Sequence, residues 1–329
     1  MKQIIYIVTT ENHAIEVWEL LNTGQMFLIQ RITIMGEGQP IEISKKRKKL
    51  YIGIRPNYKI LTYNILSNGK LQYLSSTKIP YSPNYIALDK EENFLFCAYY
   101  HANCMSISYI NKNHIPTYPI KIFHNLPGCH SVNIDNFNKL AFVPALLADR
   151  IYTYKLKILK NSISCKKINF FQASKKSGPR HMTIHKHHNI LYSINELNGT
   201  VDVFKINYIK KNIEIIQNIS IFMNLKKSWS ADIHLTLCNN YLYASDRLHN
   251  TITTFKVNKN GTLQYNNLIS TTQQPKSFAI DQNNEYLISI GKKSNTIIVY
   301  NISMKNGFLS KLYEYSVHKH PTWILIHQI

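Results

Sequence analysis

The sequence predicts an all-β chain closed into a seven-bladed β-propeller, with four antiparallel strands in each blade. Three observations predict it. A hairpin-shaped unit recurs seven times in 329 residues, each copy closed by an aromatic: Trp18, Tyr63, Tyr109, Tyr154, Phe204, Phe255 and Tyr300, spaced 45 to 51 residues apart. Apolar residues alternate with period two inside each copy, and helix-period patterning is almost absent. The chain opens on a hairpin with no leading strand and ends on a leading strand with no hairpin, so its two ends complete one blade.

The elements follow in order. Residues 4–18, "IIYIVTTENHAIEVW", are the first hairpin: an alternating strand, a polar turn and a second alternating strand. The same shape returns at 49–63 ("KLYIGIRPNYKILTY"), 94–109, 139–154, 190–204 ("ILYSINELNGTVDVF"), 241–255 and 286–300. A short apolar strand led by a proline precedes most hairpins, at Pro40, Pro83, Pro179, Pro275 and Pro321; Cys129 and Ser230 take the proline's place in two copies. A fourth strand follows each hairpin, usually after a turn, as in "NGKLQYLSSTKI" and "NGTLQYNNLIST". Closing the ring protects strand edges that an open sheet would leave bare. Residues 1–329 are therefore expected to be one domain without a linker.

Composition bounds the function. Hydrophobic residues make up 44% of the chain, enough for a large core, and no apolar run approaches the roughly 18–20 residues of a membrane helix. The first residues lack the apolar stretch and small-residue cleavage site of a secretory leader. A cytoplasmic protein, away from membranes, is the expectation. Five cysteines at 97, 104, 129, 165 and 238 form no CxxC pair, which argues against a disulfide framework or a zinc site. The net charge is +21, yet the basic residues are scattered along a chain rich in Lys, Asn, Ile and Tyr, not gathered into an arm or helix face. No nucleic-acid partner is expected, and the chain is expected to act as a monomer.

In a propeller blade the start of the innermost strand and the end of the next lie at the same end, around the mouth of the central channel. Counting eight back from each closing aromatic gives Thr10, Arg55, His101, Leu146, Glu196, Arg247 and Lys292. The residue after each proline or its substitute gives Ile41, Asn84, His130, Arg180, Ala231, Lys276 and Thr322. One mouth thereby collects cations, imidazoles and a single carboxylate, Glu196. Spacing alone leaves two readings open: a site for an anionic substrate with acid–base chemistry, or an ion-pair network that ties neighbouring blades.

Ordered motifs along the whole chain extend this reading. "YIGIRP", "GCHSVNI", "VPALLADRI", "GPRHM", "NELNGTVDV", "WSADIH", "YASDR" and "QPKSF" stand in sequence from residue 51 to 278. Together they resemble the signatures of the bacterial propeller-type 6-phosphogluconolactonases, within the lactonase seven-bladed propellers. The resemblance implies metal-independent hydrolysis of a small-molecule phosphosugar lactone without a cofactor. It implies catalytic residues His130, Arg180, Glu196 and Arg247, while Lys276, Lys292, Arg55 and His101 remain candidates for holding the substrate and its phosphate. Two departures stand out: Lys276 and Ser277 occupy positions where the family carries Arg and Gly. A lysine keeps the charge but loses the bidentate fork of arginine.

Lactone opening needs a water at C1, stabilisation of the carbonyl oxygen and a proton for the ring oxygen. Glu196 or His130 can take the water's proton, with Glu196 favoured; neighbouring arginines weaken a carboxylate as a base and keep His130 in play. Arg180 and Arg247 suit the oxyanion or the phosphate. Alternatives are another lactonase, a muconate-type cycloisomerase on the same site, or a non-catalytic interaction propeller, although the "GH…WD" pattern of scaffold propellers is missing. "HKHH" at 185–188 reads as a solvated turn, His181 and Asp232 as blade-to-blade hydrogen bonding, Trp229 and His234 as packing, and Cys129 as a small buried residue.

Overall fold

The computed structural model describes residues 2–224 and 227–329. These residues form seven four-stranded antiparallel sheets. Blade 1 is built from both ends of the chain: Pro321–Gln328 is innermost, followed by Gln3–Thr9, Ala14–Leu20 and Met26–Thr33. Blades 2 to 7 then follow in sequence, their innermost strands beginning at Glu37, Tyr85, Asn133, Pro179, Ser230 and Pro275. The closing pair runs in register from Gln3 opposite Gln328 to Val8 opposite Trp323. Among the described residues no helix is long and apolar enough to cross a membrane.

The core lies between blades. One face of Gln3–Thr9 presents Ile4, Tyr6 and Val8 to Ile41, Leu50 and Ile52 of blade 2. The other presents Ile5 and Ile7 to Ile288, Ile290 and Val299 of blade 7. Buried clusters of this kind fill all seven blade-to-blade gaps. Both faces of each second strand are therefore apolar, and a strand such as Tyr286–Gly291 is buried at every position. Outermost strands alternate instead, as in Leu309–Ser316 with one edge to solvent.

Polar side chains hold the turns. Asp135, wholly buried, accepts the backbone N–H groups of Phe137, Lys139 and Leu140 across the turn between the first two strands of blade 4. Asp89 and Asp281 do the same in blades 3 and 7. In blade 5 the place is taken by His185, whose Nδ1 accepts from the N–H groups of His187 and His188 at 3.1 Å. The "HKHH" tract is thus a turn with a buried imidazole at its root, not a wholly solvated cluster. Tyr6, Tyr192 and Tyr243 donate their hydroxyls to the carbonyls of Gly69, Gly261 and Gly307, turn residues of the adjoining blade.

Candidate active site

Each second strand hands over to the third through a four-residue loop whose last residue lies in the left-handed region: His13, Tyr58, Asn103, Asp149, Gly199, Asn250 and Asn295. Glycine, Asn and Asp tolerate that conformation best, and they fill five of the seven places. The first loop residue then stands at the channel mouth. The strand pairings make these first residues Thr10, Arg55, Tyr100, Leu146, Glu196, Arg247 and Lys292.

The sequence count named His101 where Tyr100 stands. Tyr99 pairs with Cys104 as Asn195 pairs with Thr200, and Tyr109 closes its strand one residue later than the other aromatics. His101 still borders the cavity, from a more exposed position beside the Tyr100 ring. The second column needs one correction as well. Blade 2 enters at Gly38, opposite Ile54, with a bulge before Ile41 opposite Ile52. Blade 7 has Pro275 opposite Gly291 and Phe278 opposite Ser289. Gln39 is therefore the counterpart of Lys276, and Ile41 is a core residue.

With these two changes the inner column is Gln39, Asn84, His130, Arg180, Ala231, Lys276 and Thr322. A cavity of about 560 Å³ opens at the mouth, and all eight residues singled out in the sequence border it: Arg55, His101, His130, Arg180, Glu196, Arg247, Lys276 and Lys292. Leu146 and Ala231 do not. Leu146 is buried in a short 3-10 turn, Leu146–Ala148. Ala231 is small, and the Arg180 guanidinium crosses from blade 5 to donate to its carbonyl.

The carboxylate of Glu196 is the hinge of the site. Its Oε2 lies 2.8 Å from Arg180 Nε and 2.8 Å from Arg247 Nη2. The Arg180 pair is a charge contact, since the Nε–H is not directed at the oxygen. Arg247 is clamped more fully: Nε–H donates to the Trp229 carbonyl at 3.1 Å, Nη2 to that of Ser230 at 3.0 Å, and the guanidinium lies 4.0 Å from the Trp229 ring centre. Asp246 braces this corner by accepting from Ser228 Oγ and Trp229 N. Trp229 is 39% exposed and walls the cavity, so its place is in the site and not in the core packing expected of it.

Burial lowers the pKa of Arg247 to about 10, with Arg180 adding repulsion and Glu196 opposing. Both guanidinium groups remain charged at neutral pH. Burial, then Arg180 and its neighbouring cations, holds His130 well below the ordinary imidazole range, so it is neutral in the free protein. Across the cavity, Arg55 is paired with Glu37 at 2.8 Å. Lys276 meets only the amide oxygen of Gln39, at 3.3 Å, and forms no ion pair with a carboxylate among the described residues. Burial and the cations Arg180, Lys292, Arg247 and Arg55 pull its ammonium well below the usual range.

Deeper in the channel, His181 Nδ1 lies 2.8 Å from Asp232 Oδ1, while Ser277 Oγ donates to Asp232 Oδ2 at 2.9 Å and His234 Nε2 sits 3.2 Å from it. These contacts link blades 5, 6 and 7 beneath the mouth. Cys129 is fully buried and its thiol pKa is raised by that burial. The cavity residues that sequence reasoning did not assign to the site are Glu11, Glu37, Gln39, Tyr100, Trp229 and His320. Strand and loop register bore on Gln39 and Tyr100, and the motif "WSADIH" contained Trp229, though that residue was read as packing; no signal marked Glu37.

Comparison with known proteins agrees with this architecture. Residues 4–326 match the family model described as lactonase, 7-bladed beta-propeller. A protein of Buchnera aphidicola subsp. Schizaphis graminum named 6-phosphogluconolactonase is 47% identical, with 98% of each chain covered. One of the same name from Erwinia tasmaniensis is 34% identical over the full length of both. The solved periplasmic gluconolactonase of Pseudomonas aeruginosa superposes with a TM-score of 0.89 at 17% identity, covering 99% of each chain, which is a likeness of fold. The chain belongs to the seven-bladed β-propeller lactonases.

Proposed function

We propose that this protein hydrolyses 6-phospho-D-glucono-1,5-lactone to 6-phospho-D-gluconate, the lactone-opening step of the oxidative pentose phosphate pathway. The observation that carries the proposal is a carboxylate bridging two guanidinium groups of blades 5 and 6 in a cavity that also holds Lys276 of blade 7, which has no carboxylate partner among the described residues. Full-length relatives named for this activity support the choice of substrate. The cavity volume suits a small ligand, the usual range being roughly 300–1,000 Å³.

In this reading Lys276 and Lys292 take the phosphate, with Arg55 and His101 at the rim. The lactone carbonyl faces Arg180, Arg247 and His130, whose N–H groups stabilise the oxygen as it becomes anionic. Glu196 keeps Oε2 in its arginine contacts and uses Oε1 to take a proton from water as the water oxygen bonds to C1. The C1–ring oxygen bond then breaks, and that proton passes to the ring oxygen. The product acid releases its own proton to solvent. The parts are supplied by the chain, and the enzyme is proposed to act as a monomer.

The test is hydrolysis of the lactone with and without its 6-phosphate, spontaneous hydrolysis subtracted. The phosphorylated lactone is expected to give the higher kcat/KM by at least about tenfold. Glu196→Gln is expected to lower kcat by about 10²–10³. Equal rates on the two lactones, or an undiminished Glu196→Gln enzyme, would count against the proposal.

A further inference from the structure

We infer that Asn84 fixes His130 as the tautomer protonated on Nε2, which makes His130 a hydrogen-bond donor to the lactone and leaves Glu196 as the base. Asn84 is the blade 3 member of the inner column, next to His130 in blade 4. Its Nδ2 lies 2.8 Å from the backbone carbonyl of His130 and 3.3 Å from the His130 ring nitrogen Nδ1. A carbonyl only accepts, so the Asn84 atom at 2.8 Å is the amide nitrogen and not its oxygen. The second N–H of that nitrogen faces Nδ1. A proton on Nδ1 would set two donors against each other, so Nδ1 accepts and is bare.

The surroundings decide the charge. His130 is 8% exposed, and the cationic side chains facing it are Arg180, Arg247 and Lys276; the Tyr100 ring and the imidazole of His181, whose own pKa burial lowers to about 4, lie at 5.7 and 5.1 Å. The carboxylate that shares the cavity, Glu196, is already held by two arginines. An imidazolium is disfavoured there, as the depressed pKa of His130 reflects. A neutral ring with a bare Nδ1 has its one proton on Nε2, and Nε2 makes no hydrogen bond to the described residues. His130 therefore cannot take the water's proton through a free lone pair at Nε2. It can donate from Nε2–H to the carbonyl oxygen and keep its proton throughout, as a neutral imidazole electrophile does. Asn84 acts through His130 and is a positioning residue.

The catalytic part of this inference rests on the reaction proposed above; the tautomer does not. The experiment reads the two separately. In the full-length ¹⁵N-labelled protein at pH 7, the His130 ring is assigned by loss of its signals in His130→Gln. Nδ1 is expected at the shift of an unprotonated ring nitrogen and Nε2 at that of a protonated one. An aspartate at position 84 accepts where the amide donated, so Asn84→Asp is expected to move the proton to Nδ1. It is also expected to lower kcat on the phospholactone by about 10²-fold with a smaller change in KM. A protonated Nδ1 in the unmodified protein overturns the inference whatever the activity, and so does an Asn84→Asp enzyme with switched tautomer and full kcat. If the unmodified protein shows the expected tautomer but leaves the lactone unhydrolysed, the reaction is refuted and the Asn84–His130 arrangement stands.

Discussion

At the scale of single residues, the site is governed by which charges are paired. Glu196 holds two arginines, Glu37 holds Arg55, and Lys276 is left to a neutral amide. An uncompensated ammonium among four cations is costly, and burial is the larger part of that cost. An arriving phosphate restores the charge, so binding takes up a proton at Lys276. The sign follows: with its pKa depressed in the free protein, Lys276 loses its proton as pH rises, and affinity for an anion falls with it. Calorimetric titration with 6-phospho-D-gluconate from pH 7 to 9 is expected to show weakening of up to about tenfold per pH unit. In Lys276→Arg the decline is expected to vanish, because a guanidinium stays charged over this range. A parallel decline in both proteins would remove Lys276 from the phosphate's neighbourhood. The same substitution supplies the fork that the lysine lacks, so tighter binding at pH 9 is the expected companion result.

At the scale of elements, a blade depends on short polar turns that its apolar strands cannot make for themselves. Asp135 shows the energetics. Its carboxylate accepts three backbone N–H groups while fully buried. Asp135→Ala leaves those donors unsatisfied and is expected to cost about 3 kcal/mol, within the range for charge-assisted bonds and stranded buried donors. A thermal melt falling by several degrees, with lactone turnover retained at 25 °C, is the expected outcome; an unchanged melting point would mean that water satisfies the turn. These elements also show how far the sequence could be read. Period-two alternation and the closing aromatics gave the number of blades because each aromatic sits at a fixed depth between sheets. The mouth columns came out right in five blades and wrong in two. In blade 3 Tyr109 is displaced by one residue, so the count fell on His101 and passed over Tyr100. In blade 2 the proline stands two places inside the strand, and Gly38 takes its usual position. Both failures are failures of register, by one residue in blade 3 and by two, across a bulge, in blade 2, and neither displacement alters the local pattern of apolar residues. Trp229 was misassigned for another reason. An aromatic before a strand reads as core, whereas here its ring stacks on Arg247 at the cavity wall.

At the scale of the whole molecule, the ring is held shut by a single strand that the chain supplies last. Pro321–Gln328 pairs with Gln3–Thr9, buries Ile324 and Ile326, and brings Thr322 to the mouth. Without it the blade 1 edge is bare, and the packing against both blade 7 and blade 2 loses a wall. Each buried Ile is worth about 1.5–3 kcal/mol, and the whole fold only about 5–15 kcal/mol. Deleting residues 321–329 is therefore expected to abolish cooperative unfolding and leave an aggregating chain. Truncation alone does not separate loss of closure from loss of nine residues, so a second protein is needed. The Ile329 N–H donates to the Lys2 carbonyl at 2.9 Å, which places the chain ends side by side on neighbouring strands. A circular permutant can join them by a short flexible linker and open the chain among the exposed turn residues 258–260 of blade 6. All seven sheets then keep their four strands and the mouth keeps every side chain. The permutant is expected to melt within a few degrees of the natural chain and to retain its lactone turnover, measured side by side. A permutant as crippled as the truncation would show that the order of the blades along the chain, and not the closed ring, is what the fold requires.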